Sequence, residues 1–196
     1  MLRGAIAEMG DHNFHNDGQF RDVNGKTHID LKRHTLKLQT QSIDIYEVKN
    51  SNELRVTKHA DTLIIGGIEM VKYQYGSTKV HRAASILLHK QFRSKNLGTH
   101  LYQCLFYIYG TLIGGGTQAT GARRVWVKIS KIGTVNIVDV ETGAVKHKNI
   151  KLIDDLDSRI WYAEDDEAQF YSDKATRVAH DYLLTLTDIP APEGLI

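Results

Sequence analysis

From Thr35 onward apolar and polar residues alternate. Leu36 and Leu38 are followed by Ile43, Ile45, Tyr46 and Val48, and the turn Asn50-Ser51-Asn52 closes the run. A period of two marks strands with one face in a core. The runs 53–58 (ELRVTK), 62–73 and 78–89 continue it, joined by His59-Ala60-Asp61 and Tyr75-Gly76-Ser77. Short polar turns between successive strands predict an antiparallel meander. Gly66-Gly67 inside the strand over 62–73 predicts a bulge or a close approach of another backbone.

The period changes at Thr99. Leu101, Tyr102, Leu105, Ile108 and Tyr109 recur at helical spacing as far as Gly110, which predicts a helix over 99–110. A short buried strand over 111–113 follows, then a turning loop at Gly114-Gly115-Gly116. Thr117 or Thr120 caps a second helix with Ala122, Val125, Trp126 and Ile129 on one face. Arg123, Arg124, Lys128 and Lys131 occupy much of its other face. Residues 135–140 read as a strand, Glu141-Thr142-Gly143 as a turn, 144–153 as its partner and 158–163 as another strand. Asp165-Asp166-Glu167 predicts an acidic-first helix reaching about Leu184, with Phe170, Ala175, Val178, Ala179 and Tyr182 as its apolar positions.

At the ends the patterning fades. Residues 1–35 are polar, carry Gly10, Gly18 and Gly25, and hold no sustained period; Asn24-Gly25 predicts a small hairpin between 19–23 and 26–30. Residues 189–196, with both prolines, predict an extended end. The expected organisation is a polar N-terminal extension over 1–35, one domain over 36–188 and a tail over 189–196.

With 196 residues the chain is long enough for one domain with a proper core. A net charge of +2 with both signs interspersed gives no overall polybasic signature for nucleic acid or a membrane surface. No apolar run reaches the roughly 20 residues of a membrane span, and no signal-peptide core is visible at the start. Cys104, the single cysteine, cannot form an intramolecular disulfide, which fits a reducing cytoplasm. His12 and His15 have a metal-like spacing, with His28 and His34 after them. Without cysteines or tighter clustering they read as loop histidines.

The most chemically suggestive stretch is 85–99. Ile86, Leu87 and Leu88 form an apolar strand end, Arg93, Ser94, Lys95, Asn96 and Gly98 a basic turn, and Thr99 opens a helix. Strand, basic turn and helix N-terminus together suit an anion, because unpaired N–H groups and the helix dipole converge there. The plainer reading is an ordinary polar strand-to-helix turn. The wording of 92–102, FRSKNLGTHLY, resembles the acyl-CoA pyrophosphate loop of the GNAT superfamily of N-acetyltransferases, whose pattern is Gln/Arg-x-x-Gly-x-Gly/Ala. Arg93 falls on the Gln/Arg position, Asn96 on the first glycine and Gly98 on the second. Asn is the non-glycine residue that best tolerates a left-handed backbone. The resemblance extends over about 40–140 and is firm over 87–109 and 114–131, where the family places its next helix after a strand that splays away to admit the pantetheine arm.

The resemblance implies an α/β (α+β) fold with a mixed, mostly antiparallel twisted sheet flanked by helices, and acetyl transfer from acetyl-CoA to an unidentified amine. Leu87, Leu88 and His89 would supply backbone groups to the pantetheine and thioester. Arg93, Ser94, Lys95, Asn96, Leu97, Gly98 and Thr99 would hold the pyrophosphate. Glu69 and His89, with His81 beside them, are the candidate proton acceptors. No metal is implied. Two departures stand out: no helices are found before Asp61, and Trp126 stands where many members carry a tyrosine acid. Tyr102, Tyr107 and Tyr109 read as core. A catalytically inactive module docking on a larger assembly or on a second copy is the first rival. A nucleic-acid-binding protein using Arg123, Arg124, Lys128, Lys131 and the basic 146–151 region is the second.

Overall fold

A computed structural model describes residues 13–15, 19–21, 27–30, 34–60, 64–93, 96–114, 117–118, 120–153, 161–163, 176–178 and 182–196. In chain order the strands are β1 (Asn13–His15), β2 (Gln19–Arg21), β3 (Thr27–Asp30), β4 (His34–Gln39), β5 (Ile43–Val48), β6 (Glu53–Lys58), β7 (Ile64–Tyr75) and β8 (Thr78–Leu88). A 3-10 turn (Lys90–Phe92), helix α1 (Leu97–Tyr109), β9 (Leu112–Ile113), β10 (Thr117–Gln118) and helix α2 (Thr120–Ile132) follow. The chain then forms β11 (Thr134–Asp139), β12 (Val145–His147), β13 (Trp161–Ala163), β14 (Thr176–Val178) and β15 (Tyr182–Asp188).

The fold is mixed α/β. Nine strands hydrogen-bond in the order β12-β11-β15-β9-β8-β7-β6-β5-β4. The pairs β4–β5, β5–β6, β6–β7, β9–β15, β15–β11 and β11–β12 are antiparallel, and β8–β9 is parallel. The meander expected over β4–β7 is therefore present. So is the N-terminal hairpin, with β2 antiparallel to β3 on either side of Asn24-Gly25. Contacts divide the chain into two compact units: Met1–Val71 with Ala83–Leu97 and Pro192–Ile196, and Lys72–Arg82 with Gly98–Ala191.

In the first unit, register sorts the side chains. Ile45 faces Val56, and Leu54 faces Ile68, so these four share one side of the sheet and are buried. Ile43 and Met70 extend this apolar layer. Each such side chain contributes about 1.5–3 kcal/mol when removed from water. The glycine signal in β7 has both expected causes. The register shifts where β6 meets Gly66, and a Cβ on Gly66 would lie 2.7 Å from the Leu87 carbonyl oxygen and 2.8 Å from the Leu88 side chain. The tail does not hang free: Leu195 bridges to Thr40, and the Ile196 N–H donates to the Gln39 carbonyl at 3.2 Å along the edge strand.

The second unit buries Tyr75, Val80, Ile113, Val138 and Leu183 in one cluster, with Tyr73 and Val140 against it. Helix α1 buries Leu101, Tyr102, Cys104 and Leu105 and ends at Gly110, whose φ of +73° makes the left-handed cap that the sequence indicated. Helix α2 buries Arg123, Trp126, Val127, Ile129 and Ser130.

Three expectations need correction. The helix running from Asp165 to Leu184 is contradicted where the chain is described, because 176–178 and 182–188 are strands. β15 lies between β9 and β11, and its Leu183, Leu184, Thr185 and Leu186 are all buried. A strand buried on both faces loses its alternation, so its short apolar run has no period to separate it from a helix. Tyr107 is exposed rather than core. The partner of β11 is only Val145–His147; Asn149 then turns at φ +45° and Leu152 leaves the ladder to bond Ser130.

Because the Leu87 carbonyl is backbone and cannot swing aside, Gly66→Ala is expected to destabilise the protein by about 1–3 kcal/mol in urea unfolding. An alanine at Gly121, where a Cβ meets nothing within 4 Å, serves as the tolerated control.

Candidate functional site

The turn after β8 is built by local hydrogen bonds. The His89 N–H donates to the Ile65 carbonyl at 2.9 Å, and the Phe92 N–H donates back to the His89 carbonyl at 2.9 Å, closing the 3-10 turn. Arg93 Nε donates to the Leu88 carbonyl at 2.8 Å, folding the guanidinium onto the strand end. Ser94 and Lys95 lie outside the described residues. Asn96 has φ +57°, one residue before α1 starts at Leu97. A left-handed residue there is what the sequence predicted from Asn standing at a glycine position. The first turn of α1 then presents N–H groups without intrahelical partners. Within it the Thr99 hydroxyl is buried with no hydrogen bond.

Gly98 has a reason of its own. A Cβ there would sit 2.7 Å from Val125 Cγ2, so glycine is required for the approach of α2 to α1 whatever the turn binds. Leu87 and Leu88 are half-buried at the end of β8, against Gly66. Lys58 Nζ lies 5.7 Å from the centroid of the Phe92 ring.

The candidate proton acceptors are not gathered at one point. His89 Nδ1 is 3.4 Å from the Gln91 nitrogen, and its ring lies beside Phe92. Glu69 is four residues along β7 from Ile65, the partner of His89, which at strand rise is about 13 Å away. Its directly opposite neighbour is Glu53. His81 sits at the far end of β8, in register with Leu112, with its ring centroid 4.7 Å from that of Tyr109.

A polar cluster that sequence reading did not single out lies on the other face of β4–β7. Asp44 is buried and its Oδ1 is 2.9 Å from His59 Nδ1, while its Oδ2 accepts the Ala60 N–H at 3.4 Å, steadying a residue at φ +53°. His59 Nδ1 also lies 3.3 Å from Gln39 Nε2, so the ring is held from two strands. Arg55 and Thr57 share this face and are also buried, and Arg55 Nε and the Thr57 hydroxyl make no hydrogen bond. Burial, and secondly the Asp44 charge, pushes the Tyr46 phenol up. The sequence signal was the alternation itself: Asp44, Arg55 and Thr57 sit at its polar positions, and Tyr46, counted among the apolar ones, shares their face.

In the second unit Trp126 is fully buried, its ring edge-on to Tyr102 at 5.4 Å, and its indole nitrogen lacks a hydrogen bond. Burial pushes the Tyr102 phenol up to about 12, with the Trp126 indole acting in the opposite direction. Arg123, expected on the exposed basic face of α2, is 2% exposed, so only Arg124, Lys128 and Lys131 remain on that face. Among the described residues no group of three or more His, Cys, Asp or Glu is placed to hold a metal, and no helix is long and apolar enough to cross a membrane. No protein-family model, curated protein or solved structure matches the chain.

Cys104 is buried in α1, and desolvation pushes its thiol up to about 12. Since the thiolate is the nucleophile, native protein at pH 8 is expected to leave a chromogenic disulfide reagent unreacted. One equivalent of thiol should react after unfolding in guanidinium, and fast native labelling would contradict this burial.

Proposed function

We propose that this protein is an acyl-CoA-dependent N-acyltransferase of the GNAT type, carrying an acetyl group from acetyl-CoA to an amine. The observation that carries the reading is Asn96 at φ +57°, immediately before α1. A left-handed backbone at that residue is what the glycine of the pyrophosphate-loop pattern is for. The β8–α1–β9 crossover adds to it. β8 and β9 run parallel, His81 beside Leu112 and Arg82 beside Ile113, over the whole two-residue length of β9.

In this reading the pyrophosphate is held by N–H groups of the turn and the first turn of α1, with Arg93 and Lys95 supplying charge. Backbone groups of Leu87–His89 hold the pantetheine arm. A neutral amine attacks the thioester carbon, the N–C bond forms and the C–S bond breaks. CoA leaves as a thiolate, and the proton shed by the amine passes to a base. Glu69 and His89 are the bases proposed for that proton. Helices flanking the sheet in the manner of the superfamily belong to the same proposal.

A second reading, a binding module on the same fold, is favoured by Trp126. Its buried indole offers no acid for the leaving thiolate at the position where a tyrosine would. Calorimetric titration with acetyl-CoA separates the two. Acyl transfer predicts saturable binding, weakened roughly ten- to hundred-fold in Arg93→Glu, the scale of one charge-assisted contact. It also predicts binding loss in Asn96→Val, whose β-branched side chain disfavours positive φ. Absence of binding to the wild-type chain at millimolar acetyl-CoA would sink the enzyme reading.

A further inference from the structure

We infer that the end of α2 and the chain returning beside it form a docking surface for an anionic phospholipid bilayer, with lysines for the headgroups and two exposed isoleucines for the acyl boundary. The surface lies wholly in the second unit. It goes beyond acyl transfer and makes no use of it.

Charge and its placement come first. Residues 98–153 carry seven Lys and Arg against two Asp and Glu, whereas outside them acids outnumber Lys and Arg by 21 to 18. The overall charge of +2 sums these opposites and conceals the basic stretch. Burial of Trp126, Ile129 and Ser130 turns the other side of α2 outward, so Arg124, Lys128 and Lys131, four and three residues apart, make one exposed stripe. Backbone and side-chain bonds then lay the distant basic run against the end of that helix. The Ile150 N–H donates to the Val135 carbonyl at 2.8 Å, Lys151 Nζ to the Gly133 carbonyl at 3.2 Å, and the Leu152 N–H to Ser130 Oγ at 3.0 Å. Exposed Lys148 and Lys151 thereby join Lys128 and Lys131. The acids at the border are Asp139, 3.4 Å from Lys146 Nζ, and Asp188, opposite Thr134.

The apolar residues decide the partner. Leu152 is buried, while the next residue, Ile153, is 72% exposed. Ile132, two residues after Ser130, is 46% exposed. Because Leu152 is bonded to Ser130, both isoleucines stand within two residues of that contact, among Lys131 and Lys151. A nucleic acid rewards the cations but not the isoleucines, since its phosphates take charge and its bases take polar groups or stacked aromatics. The boundary of an anionic leaflet rewards both. It draws lysines in electrostatically and buries apolar side chains between the headgroups. Long lysine stems lie over that apolar layer while each ammonium stays in water.

The test is sedimentation of the full chain with vesicles of phosphatidylcholine containing about 30% phosphatidylserine, beside vesicles of phosphatidylcholine alone and a short DNA duplex. Saturable binding to the charged vesicles is expected at about 0.15 M salt, and its loss at about 1 M, where the screening length falls to about 3 Å. Phosphatidylcholine alone should bind no protein. Lys128→Gln combined with Lys131→Gln should weaken binding roughly 25-fold, at about five-fold for each lysine near an anionic leaflet. Ile153→Ser alters no charge and should weaken it about five- to ten-fold. These are exposed positions, and unchanged melting verifies that each variant folds. Equal binding to uncharged vesicles, no saturable binding to charged ones, or indifference to either change overturns the inference. Tighter binding to the duplex than to charged vesicles, unaffected by Ile153→Ser, overturns it in favour of a nucleic acid.

Discussion

Two parallel registers, His81 with Leu112 and Arg82 with Ile113, constrain much of what surrounds them. Parallel neighbours cannot be joined by a tight turn, so the chain must leave the sheet and return, and α1 is that crossover. The strand before it therefore has to end in a turn that starts a helix, and this turn holds Arg93, left-handed Asn96 and Leu97. Gly98 is fixed by the same demand, since α2 reaches α1 at Val125 and leaves no space for a Cβ. The feature that suggests an anion site and the feature that packs the helices are thus consecutive answers to one topological need.

The sheet of the first unit carries two unlike layers. One is apolar and closed, built on Ile45, Val56, Leu54 and Ile68. The other holds Asp44, Arg55 and Thr57, all buried, with the Asp44–His59 contact and the Glu53–Arg55 pair inside it. Buried polar groups stabilise a fold when every donor and acceptor is matched, and cost free energy when they are not. Arg55 Nε and the Thr57 hydroxyl are the unmatched ones, beside a like-charged carboxylate pair. Proteins tolerate such local cost where it serves binding or chemistry.

Much of this was legible from the chain. ELRVTK at 53–58 matches β6 residue for residue because apolar Leu54 and Val56 alternate with polar residues, although Arg55 and Thr57 on the opposite face are buried too. Gly66-Gly67 announced a close approach, and Asn96 announced a left-handed residue. β15 was misread because a strand covered on both sides shows no period. Arg123 was misread because helical spacing alone does not say which residues another part of the protein will cover. The polar face of β4–β7 was passed over for a similar reason. Polar residues at alternate positions look alike whether water or protein lies above them.

The sequence by itself determined the local elements: strand, turn and helix follow from side-chain period, glycine and asparagine stereochemistry, and capping, all of which act over a few residues. Only the tertiary structure decided that β8 runs parallel to β9, that β15 lies between β11 and β9, and that Glu53 stands opposite Glu69 in a close pair. Register and strand order depend on pairings between residues far apart in the chain. Each pairing is worth little alone and is selected by the burial of the whole sheet.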